Sequence, residues 1–263
     1  MLGKLMKYDL KSMFKSFTPL WLALLAVSAV NRFLVFRNDA RFANGVSAFV
    51  SIFLYGSLCI AVVVVTIVLI IRRFYSGLLK DEGYLMFTLP VKTWQLVASK
   101  CLSATIITLL SMIAGLLSVF ILVPGIQWHQ LFEAISKYAR FITGDMVLSG
   151  VLLLLLVLFT VIKSVTYIYT SLALGHLASK HRVGWSVAAF IGINVVLTTL
   201  GTNLVTLFSK EFPNVRWDFF PNSVSDIPAT NGCLLALIGI TLVQVVIFFF
   251  ATERILAKHL NLE

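Results

Sequence analysis

The chain has 263 residues, of which 59% are hydrophobic and 12% charged, against about 25% charged in an ordinary soluble domain. Unbroken runs such as LCIAVVVVTIVLII and VLLLLLVLF exclude a soluble fold with alternating polar faces and make the bilayer the natural solvent. The formal net charge is +10, but the basic residues flank apolar runs instead of gathering on a polar domain with interleaved aromatics, which argues against nucleic acid as a partner.

The N-terminal arm 1–17, MLGKLMKYDLKSMFKSF, predicts an amphipathic helix lying in the headgroup plane. At 100° per residue Lys4, Lys7, Lys11 and Lys15 fall within an arc of about 80°, where they would meet anionic lipid as a membrane-surface anchor. Leu2, Met6, Leu10, Met13 and Phe17 take the opposite side. The arm reads either as an anchor alone or as an anchor that also touches a cytoplasmic partner. No cleaved leader is expected, because this stretch precedes the first apolar run and no small-x-small site follows it.

A hydrocarbon core about 30 Å thick needs about 20 helical residues. Segments 19–36, 46–71, 101–123, 146–174, 184–208 and 232–252 meet or nearly meet that requirement, so the fold class expected is all-α, a polytopic membrane protein with six transmembrane helices. The first is the weakest, since Asn31 and Arg32 interrupt its outer end, although Arg32 can snorkel. The connections are too short for an independent core, which leaves a single transmembrane domain over 1–263.

Orientation follows from Lys and Arg in the short connections. Lys4, Lys7, Lys11, Lys15, Arg72, Arg73, Lys80, Lys92, Lys100, Lys180, Arg182, Arg254 and Lys258 share one side. Arg32, Arg37, Arg41, Lys137, Arg140, Lys210 and Arg216 share the other, nearly cancelled there by acidic residues. Both termini are therefore expected in the cytoplasm.

The connection 72–100 is cytoplasmic on this reading yet not hydrophilic. Leu78, Leu79, Tyr84, Leu85, Met86, Phe87 and Leu89 surround the charged group Lys80, Asp81 and Glu82, and Pro90 ends the segment. A short apolar helix there either docks into a groove of another protein or lies back on the membrane surface. Farther along, Lys163 is a charge inside the fourth span. It either snorkels from the inner half of an over-long run or faces a cavity and contacts substrate. The outer segment 208–226 mixes Phe208, Phe212, Trp217, Phe219 and Phe220 with charges, as an interfacial belt does.

Chemistry-bearing motifs are few. No G-x-x-x-x-G-K-[ST], H-E-x-x-H or Cys-x-x-Cys occurs, and no carboxylate pair lies within a span. No catalytic residue and no metal site is therefore expected, and any ATP dependence must come from a partner. His129, His176, His181 and His259 lie near membrane faces, and Cys59, Cys101 and Cys233 read as packing thiols.

The run DEGYLMFTLPVKTWQLVASK resembles the cytoplasmic loop of small bacterial permeases of the type-2 ATP-binding-cassette exporter superfamily. The opening MLGKLMKYDLK and the stretch SLALGHLASKHRVGWS are similar to the same family. The resemblance implies a permease subunit in the bacterial cytoplasmic membrane, paired with a second permease copy or paralogue and with two copies of a separate ATPase that binds ATP and Mg. It implies a coupling helix formed by Lys80, Asp81, Glu82, Gly83, Tyr84, Leu85, Met86 and Phe87, and a second ATPase contact at Lys180, His181 and Arg182. Lys163 departs from the family pattern. The implied function is export of an amphipathic or hydrophobic cargo, such as a peptide, toxin, lipid-like molecule or drug, including immunity against membrane-active peptides. The alternative is a scaffold or sensor that recruits a cytoplasmic partner without transport.

Overall fold

Hydrocarbon offers no hydrogen bonds, so a single crossing segment must satisfy its own backbone, and the helix does this. In the computed structural model each predicted apolar run falls on a helix over its described residues, and six helices are long and apolar enough to cross a membrane. The structure describes residues 2–36, 45–79, 92–122, 144–178, 181–211 and 227–258, and among these there is no strand. The helices are α1 (Leu2–Phe36), α2 (Gly45–Phe74), α3 (Thr93–Leu122), α4 (Gly144–His176), α5 (Arg182–Glu211) and α6 (Ile227–Lys258). A π-helical turn, Tyr75–Leu79, continues α2 directly. At about 1.5 Å per residue each helix is about 45 Å long or more, enough to traverse a bilayer together with its headgroup layers.

Two boundaries differ from the sequence expectation. The arm 1–17 and the first span are not separate elements, since α1 runs unbroken from Leu2 to Phe36 with Pro19 inside it. Proline removes one backbone donor and crowds the preceding turn. Packing on both sides of that position outweighs the local penalty: Met13 and Phe17 are buried with Ile107 of α3, and Leu10, Trp21 and Leu69 pack against them. The apolar face of the arm therefore has a protein partner, while Lys7, Lys11 and Lys15 are exposed. The second connection is also shorter than 72–100. Residues 75–79 form the π turn and α3 begins at Thr93, so Lys100 is a buried helix residue, not a loop residue.

The chain divides into two compact units. The first comprises residues 1–72 and 102–141, hence α1, most of α2 and the later part of α3. Besides the cluster at Phe17, polar contacts join its helices. Trp21 Nε1 donates to Ser111 Oγ at 3.1 Å, the Tyr55 and Ser118 hydroxyls are 2.7 Å apart, and Arg32 donates to the Ile121 carbonyl at 3.3 Å.

The second unit comprises residues 73–101 and 142–263, with α4 packed against both α5 and α6. Leu152, Leu234 and Ile238 form an apolar contact toward one end of α4 and α6. Near it Ser149 Oγ donates to Asn231 Oδ1 at 2.6 Å, and Asn231 Nδ2 donates to the Asp145 carbonyl at 3.2 Å. Toward the other end the Thr170 hydroxyl donates to the Phe248 carbonyl at 3.0 Å and lies 2.9 Å from the Thr252 hydroxyl.

The turn from α4 to α5 depends on two backbone positions. A Cβ on Gly175 would lie 1.9 Å from Ser186 Oγ and 2.4 Å from the Ser186 backbone, so glycine is what permits this approach. His181 has φ 55° and its carbonyl accepts the first α5 bond from Trp185 N at 3.1 Å. Gly175→Ala should lower stability by about 1–3 kcal/mol through overpacking, despite alanine's better helix propensity. Gly192→Ala, where a Cβ meets nothing within 4 Å, is the control and should not destabilise. His181→Gly should raise stability by about 1 kcal/mol, and His181→Val should lower it, because a left-handed backbone disfavours side chains, β-branched ones most. Thermal unfolding of the purified protein in detergent checks all four; equal melting points for Gly175→Ala and Gly192→Ala would contradict the close crossing.

Candidate functional site

Within the second unit α4, α5 and α6 leave a cavity of about 440 Å³ between them, inside the range of small-ligand pockets. Residues one helical turn apart face the same side, and each helix contributes such a set. From α4 come Lys163, Ser164, Tyr167 and Ile168. From α5 come Phe190, Asn194, Leu197 and Thr198, and from α6 come Gln244 and Phe248. The cavity opens where Ser164, Phe190, Asn194 and Thr198 are exposed, while Lys163 and Gln244 are half-buried.

Most of its polar groups are already satisfied by protein. The Tyr167 hydroxyl donates to the Phe190 carbonyl and also interacts with Asn194, joining α4 to α5. Ser164 Oγ donates to the Thr160 carbonyl at 2.8 Å and Thr198 Oγ1 to the Asn194 carbonyl at 2.8 Å, as membrane helices commonly arrange their hydroxyls. The Tyr167 ring stands 4.6 Å from Phe190 and 5.7 Å from Phe248, which holds the aromatic wall together. Two side chains differ. Among the described residues neither the Lys163 ammonium nor the Gln244 amide has a hydrogen-bond or ion-pair partner, and no carboxylate lines the cavity.

Depth sharpens that observation. Lys163 lies thirteen residues before the end of α4, Asn194 twelve after the start of α5, and Gln244 fourteen before the end of α6. These are about 18–21 Å from the same end of the unit at about 1.5 Å per residue. A lysine's four-carbon stem covers only about a third of that distance. A cation within an apolar span is costly unless it is paired or hydrogen-bonded.

The segment 80–91 returns to the same helices on both sides. Before it, Phe74 stacks on Tyr169 of α4 with ring centroids 4.0 Å apart, Leu78 is fully buried, and Tyr75 stands 6.1 Å from the ring of His176. After it, Thr93 Oγ1 donates to Glu253 Oε1 of α6 at 3.3 Å, and the Tyr169 hydroxyl donates to the Lys100 carbonyl at 3.4 Å. Lys100 is 4% exposed, and its ammonium lies against Gly77, where a Cβ would meet it at 3.2 Å. Tyr169 is six residues from Lys163 on α4, and Glu253 nine from Gln244 on α6. The stems are thus about 9 and 14 Å from the cavity along the helices that line it.

Of the residues singled out from sequence, Lys163 is on the cavity wall, His181 is exposed in the turn, and Arg182 begins α5. Lys80, Asp81, Glu82, Gly83, Tyr84, Leu85, Met86 and Phe87 lie outside the described residues, as does Lys180. The side chain of Lys4 is likewise outside the description. Sequence reasoning passed over Tyr167, Asn194, Thr198 and Gln244. Their signal was available: Asn194 and Thr198 are four apart, and Gln244 is an amide within an otherwise apolar span. Comparison with protein families, with curated proteins and with solved structures finds no match to this chain.

Proposed function

We propose that this protein is the membrane-spanning subunit of an ATP-driven exporter, acting with a second copy or a paralogue and with two copies of a separate cytoplasmic ATPase of the ATP-binding-cassette type. The observation that carries the reading is the attachment of both stems of segment 80–91 to α4 and α6, the helices that line the cavity. Nucleotide binding by the ATPase would displace the Lys80–Phe87 segment. The stems would pass that displacement to α4 at Tyr169 and to α6 at Glu253, changing the cavity between them. Such a switch requires the ATP-bound and free partner to contact the segment differently. Support also comes from the apolar character of DEGYLMFTLP in a connection whose basic flanks favour the cytoplasmic side, and from the resemblance of that run to the permease family.

The test is purification of the tagged full chain from its native membrane, with ATP hydrolysis measured on the purified complex. A nucleotide-hydrolysing subunit should co-purify. The double variant Asp81→Lys with Glu82→Lys should reduce both recovery of that subunit and ATP turnover about tenfold or more, as expected when desolvated contacts are reversed in charge. Ser57→Ala, on the exposed face of α2, should leave both unchanged. Intact assembly and turnover in the double variant would remove the coupling role. Recovery of a partner without ATP hydrolysis would leave the non-transporting scaffold in place of the exporter.

A further inference from the structure

The Lys163 ammonium and the Gln244 amide both present hydrogen-bond donors to the cavity, whereas the Ser164, Tyr167 and Thr198 hydroxyls on its wall donate to backbone carbonyls. Carboxylates on the three helices stand at their ends: Asp145 and Glu211 at one end, Glu253 near the other. The rest of the wall is aromatic or aliphatic. A cationic ligand would meet Lys163 with no acid to offset it. A neutral or purely apolar ligand would leave the ammonium without a hydrogen-bond partner inside an apolar span. A ligand with one negative head and a hydrophobic body satisfies both halves of the wall.

We propose that this cavity binds an amphipathic anion, its carboxylate, phosphate or sulfate head held by Lys163 and Gln244 and its apolar body laid against Phe190 and Phe248. The open side at Ser164, Asn194 and Thr198 lets a tail longer than the cavity continue into the surrounding hydrocarbon. The same chemistry is offered by a bilayer lipid and by a cargo molecule. Only the identification of the occupant as cargo rests on the exporter reading, because binding itself needs no ATPase.

The experiment uses the full chain in nanodiscs of phosphatidylcholine, with radiolabelled dodecyl phosphate as probe and dodecyltrimethylammonium as its cationic counterpart. The wild type should bind the phosphate saturably and about tenfold or more tightly than the cation, the worth of a charge-assisted hydrogen bond. Lys163→Gln should lose about tenfold or more in affinity, while Lys163→Arg should stay within about threefold because it keeps the charge. Gln244→Leu should weaken phosphate binding without admitting the cation, and Ser57→Ala, whose hydroxyl only bonds the Leu54 carbonyl of its own helix, should change nothing. Undiminished phosphate binding in Lys163→Gln, or equal binding of the two amphiphiles by the wild type, would overturn the assignment. If Lys163→Gln elutes as an aggregate, Gln244→Leu and Lys163→Arg decide on the same criteria. Adding phosphatidylglycerol to the nanodiscs separates the sources: displacement of the probe assigns a lipid as occupant, persistence of binding assigns a cargo, and either upholds the anion site. Loss of binding specificity with intact ATPase coupling would remove this site alone, and the converse would remove the exporter alone.

Discussion

A chain dissolved in hydrocarbon gains little by pressing one apolar helix against another, because lipid tails are as apolar as leucine. Helix association then depends on close backbone approach and on hydrogen bonds between spans. Both devices occur here. Gly175 lets α5 come within backbone contact at Ser186, and hydroxyl or amide pairs join the helices at Thr170 with Thr252 and at Ser149 with Asn231. Trp21 with Ser111 and Tyr55 with Ser118 do the same in the other unit. Such contacts are individually modest, averaging about 0.6 kcal/mol in a membrane protein where they have been measured. They matter through position, since each fixes the rotation of one helix against the next.

The cavity departs from that pattern. Elsewhere in the second unit Ser149, Tyr167 and Thr170 each find a partner on the neighbouring helix. At Lys163 and Gln244 the described residues provide none. The α5 span is only 6% buried within the chain, against 28% for the α6 span, so α5 closes the cavity incompletely. Its hydroxyls at Thr198, Thr202 and Thr206 bond to their own helix's carbonyls, which lets that face tolerate lipid. The Tyr167 link to Phe190 and Asn194 is what holds α5 to α4 beside the opening.

The six helices were legible because an unbroken apolar run about 20 residues long has few other uses. Their ends were less legible. Pro19 reads as a boundary locally, yet Met13 and Phe17 on one side and Trp21 on the other pack with α3, and that packing cannot be read from residue spacing. Lys100 looks like a loop cation in sequence but is buried in α3, its ammonium accommodated by the bare backbone of Gly77. The cavity was half legible. A lysine in a span invites attention by itself, whereas Asn194 and Gln244 gain meaning only when three helices bring them to one depth.

Attachment of both stems to α4 and α6, while α5 is tied to α4 through Tyr167, gives the exporter reading a mechanical form. Force entering at the Phe74–Tyr169 stack would act on α4 about 9 Å from Lys163, and force entering at Thr93 would act on α6 about 14 Å from Gln244. The ammonium and the amide sit on different helices, so unequal displacement of α4 and α6 changes their separation. An anionic head held by both would then lose one of its two contacts. Release requires only that loss, because a head bound by a single donor in an open cavity competes poorly with headgroup water.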